Sequence, residues 1–192
     1  MGQKVSVAPT DFPKSQRCNS ENSGIGPAVE WLHQPTIVAL SVLLSSRVEN
    51  IITFCGLSVH LGGCVVPGLT ALVLLSKLPL KATLLLIVFG ATVAYLATYP
   101  TDSGLGVLTW VPGSVIGAIA FIVVKRLSVL TAFASGVFSC IIGADLLNLH
   151  SVYWMHGAIG GGGGMDAIPW MGVIAAATAA ILQLIDNLPT WQ

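Results

Sequence analysis

Two carboxylates lie in apolar surroundings in the second half of the chain. Asp145 is in the stretch IIGADLLNL, and Asn148 follows it at a spacing that places both side chains on one face of a helix. Asp166 follows the five glycines Gly160 to Gly164 and precedes another apolar stretch. Burying a carboxylate is costly unless it is paired, and two neighbouring carboxylates can share a proton. These three polar residues are the first candidates for a functional site.

Asp166 also stands where a helix would begin, with Pro169 suited to its first turn. Asp is favoured as an N-cap because its side chain accepts a hydrogen bond from a free backbone N–H group. The glycine run disfavours helix and leaves backbone N–H groups that could bind a ligand. A cap and a binding group therefore both fit Asp166, and Gly163 and Gly164 are included in the predicted site.

His60 lies in the stretch CGLSVHLGGCVVPG, which we predict to be helical. Pro67 cannot donate a backbone hydrogen bond and is expected to kink that helix. The His60 side chain should face the bundle interior, either as a packed hydrogen-bonded residue or as part of the site. Spacing favours a packing role for the four cysteines, and no metal site is predicted.

The composition of the chain indicates whether it lies in water or in a membrane. Hydrophobic residues make up 54% of the chain and charged residues only 8%, whereas a soluble domain usually has about 25% charged residues. A hydrocarbon environment removes the need for a charged surface. The formal net charge is zero, which argues against a nucleic-acid partner. We therefore expect an integral membrane protein in contact with the lipid bilayer.

Five apolar runs predict an all-α, polytopic membrane helix bundle with about five transmembrane helices, because helices satisfy their own backbone hydrogen bonds in lipid. A shorter run, 36–46, is expected to form an apolar or interfacial helix. The predicted regions are a polar arm at 1–28, the short apolar segment at 29–50, the transmembrane domain at 51–186 and a tail at 187–192. The predicted spans are 51–76, 80–98, 107–124, 127–149 and 167–185.

Basic residues predict the orientation. Lys77, Lys81, Lys125 and Arg126 flank loops that should lie on the cytoplasmic side, together with the C-terminal residues. The loops 99–106 and 150–165 contain no Lys or Arg and should face the opposite side. That side would then carry most of the unusual polar residues, which are Asp102, Asp145, His150, His156 and Asp166. The opposite side would be the periplasm, the outside of the cell or the lumen of an internal membrane.

The stretches IGADLLNL and GAIGGGGGMDAIPWMGVIAA resemble the C-terminal signature of a prokaryotic membrane family, domain of unknown function sixteen-fourteen. The stretch SVHLGGCVVPGLTALVLLSKLPLK resembles its upstream signature, and DSGLGVLTWVPG its middle segment. The resemblance covers about 50–186. It differs at His60, where Asn is expected, at Met165, where an aromatic residue is expected, and at Ala167, where Gly is usual. The family implies a fold but no activity.

Three functions fit these residues. The first is a site for a small solute, an ion or a proton, because broken helices and buried carboxylates line many transport sites. The second is a non-catalytic accessory subunit of a larger membrane complex. The third is an intramembrane aspartyl protease, although GGGGMD differs from the G-x-G-D motif of such enzymes. Homo-oligomers or other membrane subunits are the expected partners. The sequence identifies neither a catalytic residue nor a cofactor.

Overall fold

A computed structural model of the protein describes residues 27–54, 57–101, 104–154, 158–161 and 166–187. Its helices are α1 (Pro27–Ser45), α2 (Val66–Leu75), α3 (Leu80–Leu96), α4 (Trp110–Val124), α5 (Ser128–Cys140), α6 (Leu149–Trp154) and α7 (Ala167–Asp186). Its strands are β1 (Ile51–Phe54), β2 (Leu57–His60), β3 (Thr98–Thr101), β4 (Gly104–Val107) and β5 (Ala158–Ile159). A first π turn, Leu61–Val65, precedes α2, and a second π turn, Ile141–Leu146, continues α5.

Helix α5 is the centre of the bundle, and every one of its residues except Phe138 is buried. It contacts α2, α3, α4 and α7. Small residues let the backbones approach closely: a Cβ atom at Gly136 would lie 2.9 Å from the carbonyl oxygen of Met171 in α7. A Cβ at Gly143 would collide with the carbonyl of Ala91 in α3. Both contacts require glycine at these positions.

The bundle has two chemically different ends. The side chain of Gln183 donates hydrogen bonds to the carbonyl of Lys125 and the hydroxyl of Ser128, so the end of α7 lies beside the start of α5. Ser139 near the end of α5 donates to the carbonyl of Ile87 in α3, so α3 and α5 run in the same direction. Lys77, Lys81, Lys125 and Arg126 consequently lie at one end, which we call the cationic end.

The opposite end carries the strands and is called the hairpin end. Strands β1 and β2 form an antiparallel hairpin, and β2 also pairs in parallel with the short strand β5. Strands β3 and β4 form a second antiparallel hairpin. Both aspartates of the predicted site lie at this end, because α5 ends and α7 begins there.

The prediction of a helix from Ile51 is wrong for its first ten residues. Ile51–Phe54 and Leu57–His60 are the paired strands β1 and β2, and the helical segment begins at Leu61. Ile51, Ile52 and Val59 are β-branched and suit a strand, and β2 gains a partner in the distant strand β5. The all-α prediction is therefore corrected to a mostly helical fold with two small sheets.

Helix α1 begins at Pro27, well before the predicted 36–46, and includes Pro35. It lies against α2, where the Ser41 hydroxyl donates to the Thr70 hydroxyl at 3.3 Å. The carbonyls of Ser45 and Val48 lie so close to Gly62 that a Cβ there would collide with them. The predicted boundary at residue 28 falls inside α1, and the rest of the predicted arm and tail, 1–26 and 188–192, lies outside the described residues.

Two helical stretches among the described residues are long and apolar enough to cross a membrane. They are Trp110–Leu146, which contains α4, α5 and the second π turn, and Ala167–Asp186. Two shorter apolar helical runs are Leu61–Leu75 and Leu80–Leu96. The outward faces are apolar as well, with large side chains such as Leu85, Val88 and Ile122 more than half exposed.

Candidate functional site

Asp145 lies in the second π turn, where α5 reaches the hairpin end. π-helical turns disturb the regular side-chain spacing of a helix and occur frequently at functional sites. The Asp145 side chain is partly buried, and its Oδ2 atom accepts a hydrogen bond from the backbone N–H of Gly160 at 3.2 Å. This bond connects the end of α5 to the loop after β5.

Gly160 fixes the position of that loop. Its φ angle is +68°, in the left-handed region that favours glycine. An added Cβ atom would lie 2.7 Å from both the backbone nitrogen and the Cβ atom of Cys64 in the first π turn. The loop therefore presses directly on the backbone of the first π turn, and the hydrogen bond from Gly160 brings Asp145 to the same junction.

His60 ends β2 and caps the first π turn, so its predicted position within a helix is wrong. The ring is buried, and Nδ1 accepts a hydrogen bond from the N–H of Gly63 at 3.2 Å. In the neutral ring the proton is then carried on Nε2. Pro67 likewise does not kink a long helix: it lies in the first turn of α2, where its missing N–H is tolerated. The helical segment begins with the preceding π turn.

Asp166 is the N-cap of α7. Its backbone is extended, and its Oδ1 atom accepts a hydrogen bond from the N–H of Ile168 at 2.9 Å. The capping role that the sequence indicated is thus present. The capping bond uses one of the two carboxylate oxygens, so it is compatible with a second role for Asp166.

Asn148 has a backbone partner of its own. Its Nδ2 atom donates to the carbonyls of Gly143 and Ala144 at 3.1 and 3.0 Å, which caps the end of the second π turn. The expectation that Asn148 shares a face with Asp145 assumed α-helical spacing, which the π turn alters. Gly163 and Gly164, as well as Asp102 and His156, lie outside the described residues.

No cationic partner faces Asp145 within the described part of the chain. The ion pair found there joins Lys125 and Asp186 at the cationic end, with a distance of 3.9 Å and both side chains exposed. In the same residues no group of three or more His, Cys, Asp or Glu side chains is arranged to hold a metal ion. Asp145 and Asp166 both lie at the hairpin end, and each accepts a hydrogen bond from a backbone N–H group.

A row of buried hydroxyl groups along α5 was missed by the sequence analysis. Ser128, Thr131, Ser135 and Ser139 are all 0% exposed, and spacings of three and four residues place them on one face of the helix. Ser128 and Ser139 have the hydrogen bonds given above. The hydroxyls of Thr131 and Ser135 have no partner among the described residues. The spacing of Ser and Thr within an otherwise apolar helix was the signal that could have identified the row.

We expect Ser135→Ala to leave the thermal midpoint unchanged or to raise it. The substitution removes no hydrogen bond seen among the described residues, and an unsatisfied buried polar group destabilises by about 1–3 kcal/mol. Ser139→Ala is the matched control, because it loses the bond to Ile87 and should lower the free energy of unfolding by about 1 kcal/mol. Thermal unfolding in detergent measures both. Equal destabilisation by the two substitutions would contradict the assignment of Ser135 as unpartnered.

The sequence matches the profile of one protein family, described as "Protein of unknown function (DUF1614)", over residues 21–178. The match includes both π turns, the two aspartates and most of α7. No curated protein matches the chain, and no solved structure does.

Proposed function

This chain belongs to the DUF1614 family of proteins of unknown function, and we propose its function from the site itself. It is an integral membrane protein that transports a proton or a small cation, which binds at Asp145. The observation that carries this proposal is the partly buried Asp145 carboxylate, which has no ion-pair partner within the described residues. A buried carboxylate that remains uncompensated is strongly unfavourable, so it binds a proton or a cation. Asp166, at the start of α7, lies at the same end of the bundle.

The backbone around Asp145 supports a binding role. Two π turns and the glycine-containing loop meet at this point, so regular helix is interrupted on more than one side of the carboxylate. Irregular backbone at membrane depth is tolerated where it is enclosed by protein or lines a polar cavity, and such interruptions often form ion sites in transporters. Backbone carbonyls released from helical hydrogen bonds would be additional ligands for a cation.

The membrane location is supported by the two candidate spans and the apolar outward faces. The positive-inside rule assigns the cationic end, with Lys77, Lys81, Lys125 and Arg126, to the cytoplasmic side. Asp145 and Asp166 then lie near the opposite side of the membrane, and the end of α7 is cytoplasmic. In this arrangement the hairpin end covers the site on its outer surface, and further copies or other subunits would pack against the apolar faces.

Flux into sealed vesicles tests the proposal. Purified protein is reconstituted into lipid vesicles, and movement of protons, Na⁺ and K⁺ is followed with ion-sensitive dyes under an imposed gradient. We expect faster equilibration of at least one of these ions than in protein-free vesicles. Vesicles that behave like the protein-free control for every ion would contradict the proposal.

Two other assays test the alternative functions. An accessory subunit would purify from native membranes with a partner polypeptide in fixed proportion, and it would show no flux alone. An aspartyl protease would cleave transmembrane peptides in detergent. The capping bond of Asp166 to Ile168 favours the ion site over the protease, because a catalytic pair needs both carboxylates directed at one water molecule.

A further inference from the structure

A long apolar groove lies between α1 and α7, away from the aspartates. Its volume is about 470 Å³. Val129 of α5 also contributes to it, and Trp170 and Ala180 mark its extent along α7. The lining is apolar throughout, with Pro35, Val38, Ala39, Val42 and Leu43 from α1 and Trp170, Val173, Ala176, Ala177 and Ala180 from α7.

The dimensions of the groove indicate what could fill it. From Trp170 to Ala180 a helix rises about 15 Å, so a volume of 470 Å³ corresponds to a mean cross-section of roughly 30 Å². An α-helix with side chains is about 10–12 Å across, which requires roughly 80–110 Å². The groove is therefore too small to enclose a helix, and a single flexible hydrocarbon chain fits along it.

The groove leads toward a polar pocket at the cationic end. The side chain of Gln34, next to Pro35, donates a hydrogen bond to the carbonyl of Arg126 at 3.1 Å, which places that end of the groove beside Arg126. Ala176, Ala180 and Gln183 follow one another on one face of α7. A smaller cavity of about 120 Å³ is lined by Phe121, Lys125, Arg126, Gln183, Asp186 and Asn187.

Two groups in this region suit a phosphate-containing head group. Lys125 already interacts with Asp186 and lies over the Phe121 ring, whereas Arg126 has no ion pair within the described residues. A guanidinium group binds phosphate oxygens with two parallel hydrogen bonds. The Oε1 atom of Gln34 is buried and has no partner among the described residues.

We propose that this surface binds one anionic phospholipid, with an acyl chain in the α1–α7 groove and its phosphate on Arg126. The inference rests on the membrane location within the proposed function, but not on ion binding at Asp145. The lipid would join α1 to the rest of the bundle through apolar contact, where α1 has few direct contacts with α7. It is thus a specific site, unlike the lipid that covers the exposed faces of α3 and α4.

Native mass spectrometry after reconstitution tests this proposal. The protein is taken through vesicles of phosphatidylglycerol or of phosphatidylcholine, washed in detergent and weighed with its bound lipid. We expect one retained phosphatidylglycerol per chain and at least tenfold less retained phosphatidylcholine. Ala180→Phe, which fills the groove, should reduce retention at least tenfold. Val88→Phe, on an exposed face of α3, is the matched control and should retain lipid like the wild type.

Arg126→Gln tests the contribution of the head group separately from that of the acyl chain. This substitution should remove the preference for phosphatidylglycerol while some lipid remains bound. Equal retention by the wild type and Ala180→Phe would overturn the proposal, as would the absence of any head-group preference in the wild type. The proposal would also be overturned if the wild type carried a bound polypeptide and no lipid, and if Ala180→Phe lost that polypeptide. Lipid retention without ion flux would contradict only the ion site.

Discussion

Replacing Asp145 with Asn is expected to keep the fold and to abolish ligand-dependent stabilisation. The amide oxygen can still accept the hydrogen bond from Gly160, so the free energy of unfolding should change by no more than about 1 kcal/mol. A ligand that binds only the folded protein stabilises it by about 2.7 kcal/mol at a concentration one hundred times its Kd. The wild-type thermal midpoint should therefore rise with the concentration of the bound cation or with acidification. The variant should show neither response.

Asp166 provides the contrast to Asp145. Asn is nearly as good an N-cap as Asp, so Asp166→Asn should preserve α7, whereas Asp166→Ala should destabilise the protein by about 1 kcal/mol. Thermal midpoints measured in detergent over a series of pH values and of Na⁺, K⁺ and Li⁺ concentrations distinguish these effects. A midpoint of Asp145→Asn that responds to ligand as the wild type does would show that the ligand binds elsewhere.

Replacing Gly160 with Ala should cause the largest loss of stability. The left-handed backbone at this residue is unfavourable for alanine by about 1–2 kcal/mol. The new Cβ would also lie 2.7 Å from the backbone nitrogen of Cys64, which adds an overpacking cost of about 1–3 kcal/mol. We expect the free energy of unfolding to fall by about 2 kcal/mol or more, with loss of the bond to Asp145. Chemical or thermal unfolding measures the change.

Gly68→Ala is the control for this substitution. In α2 the added Cβ would meet the Cδ1 atom of Ile141 at 3.5 Å, an ordinary contact. Because alanine favours helix over glycine by about 1 kcal/mol, the control should be neutral or stabilising. Equal stability of the Gly160→Ala and Gly68→Ala variants would contradict the close contact between the loop and the first π turn.

The long apolar helices could be predicted from the sequence because recognisable residues mark their ends. Helix α3 begins at Leu80 as predicted and ends at Leu96, near the predicted residue 98. Helix α7 is predicted at 167–185 and observed at Ala167–Asp186. Asp166 and Pro169 mark its start. Uninterrupted apolar composition and recognised capping residues were sufficient for these two elements.

The hairpins could not be predicted in the same way. Residues 51–60 are apolar, and hydrophobicity alone does not distinguish a short strand from the start of a buried helix. The outcome depends on the pairing of β2 with β5, whose residues are about one hundred positions away along the chain. The sequence contains no local signal for such a contact.

The candidate site was predictable in part. The unfavourable burial of charge identified Asp145 and Asp166, and capping chemistry identified the bond that Asp166 makes. The role of His60 as a cap and the contact between Gly160 and Cys64 depend on where the chain leaves α-helical geometry. π turns have no distinct sequence pattern, so those two features required the structure.

Ion flux through an Asp145→Asn variant tests the central claim most directly. Equal amounts of folded wild type, Asp145→Asn and Asp186→Asn are reconstituted into vesicles, and flux is measured for the ion that the wild type carries. Asp186 is the control carboxylate, because its exposed ion pair lies at the cationic end. The account predicts that Asp186→Asn retains flux and that Asp145→Asn falls to the level of protein-free vesicles. Wild-type flux through Asp145→Asn would contradict it.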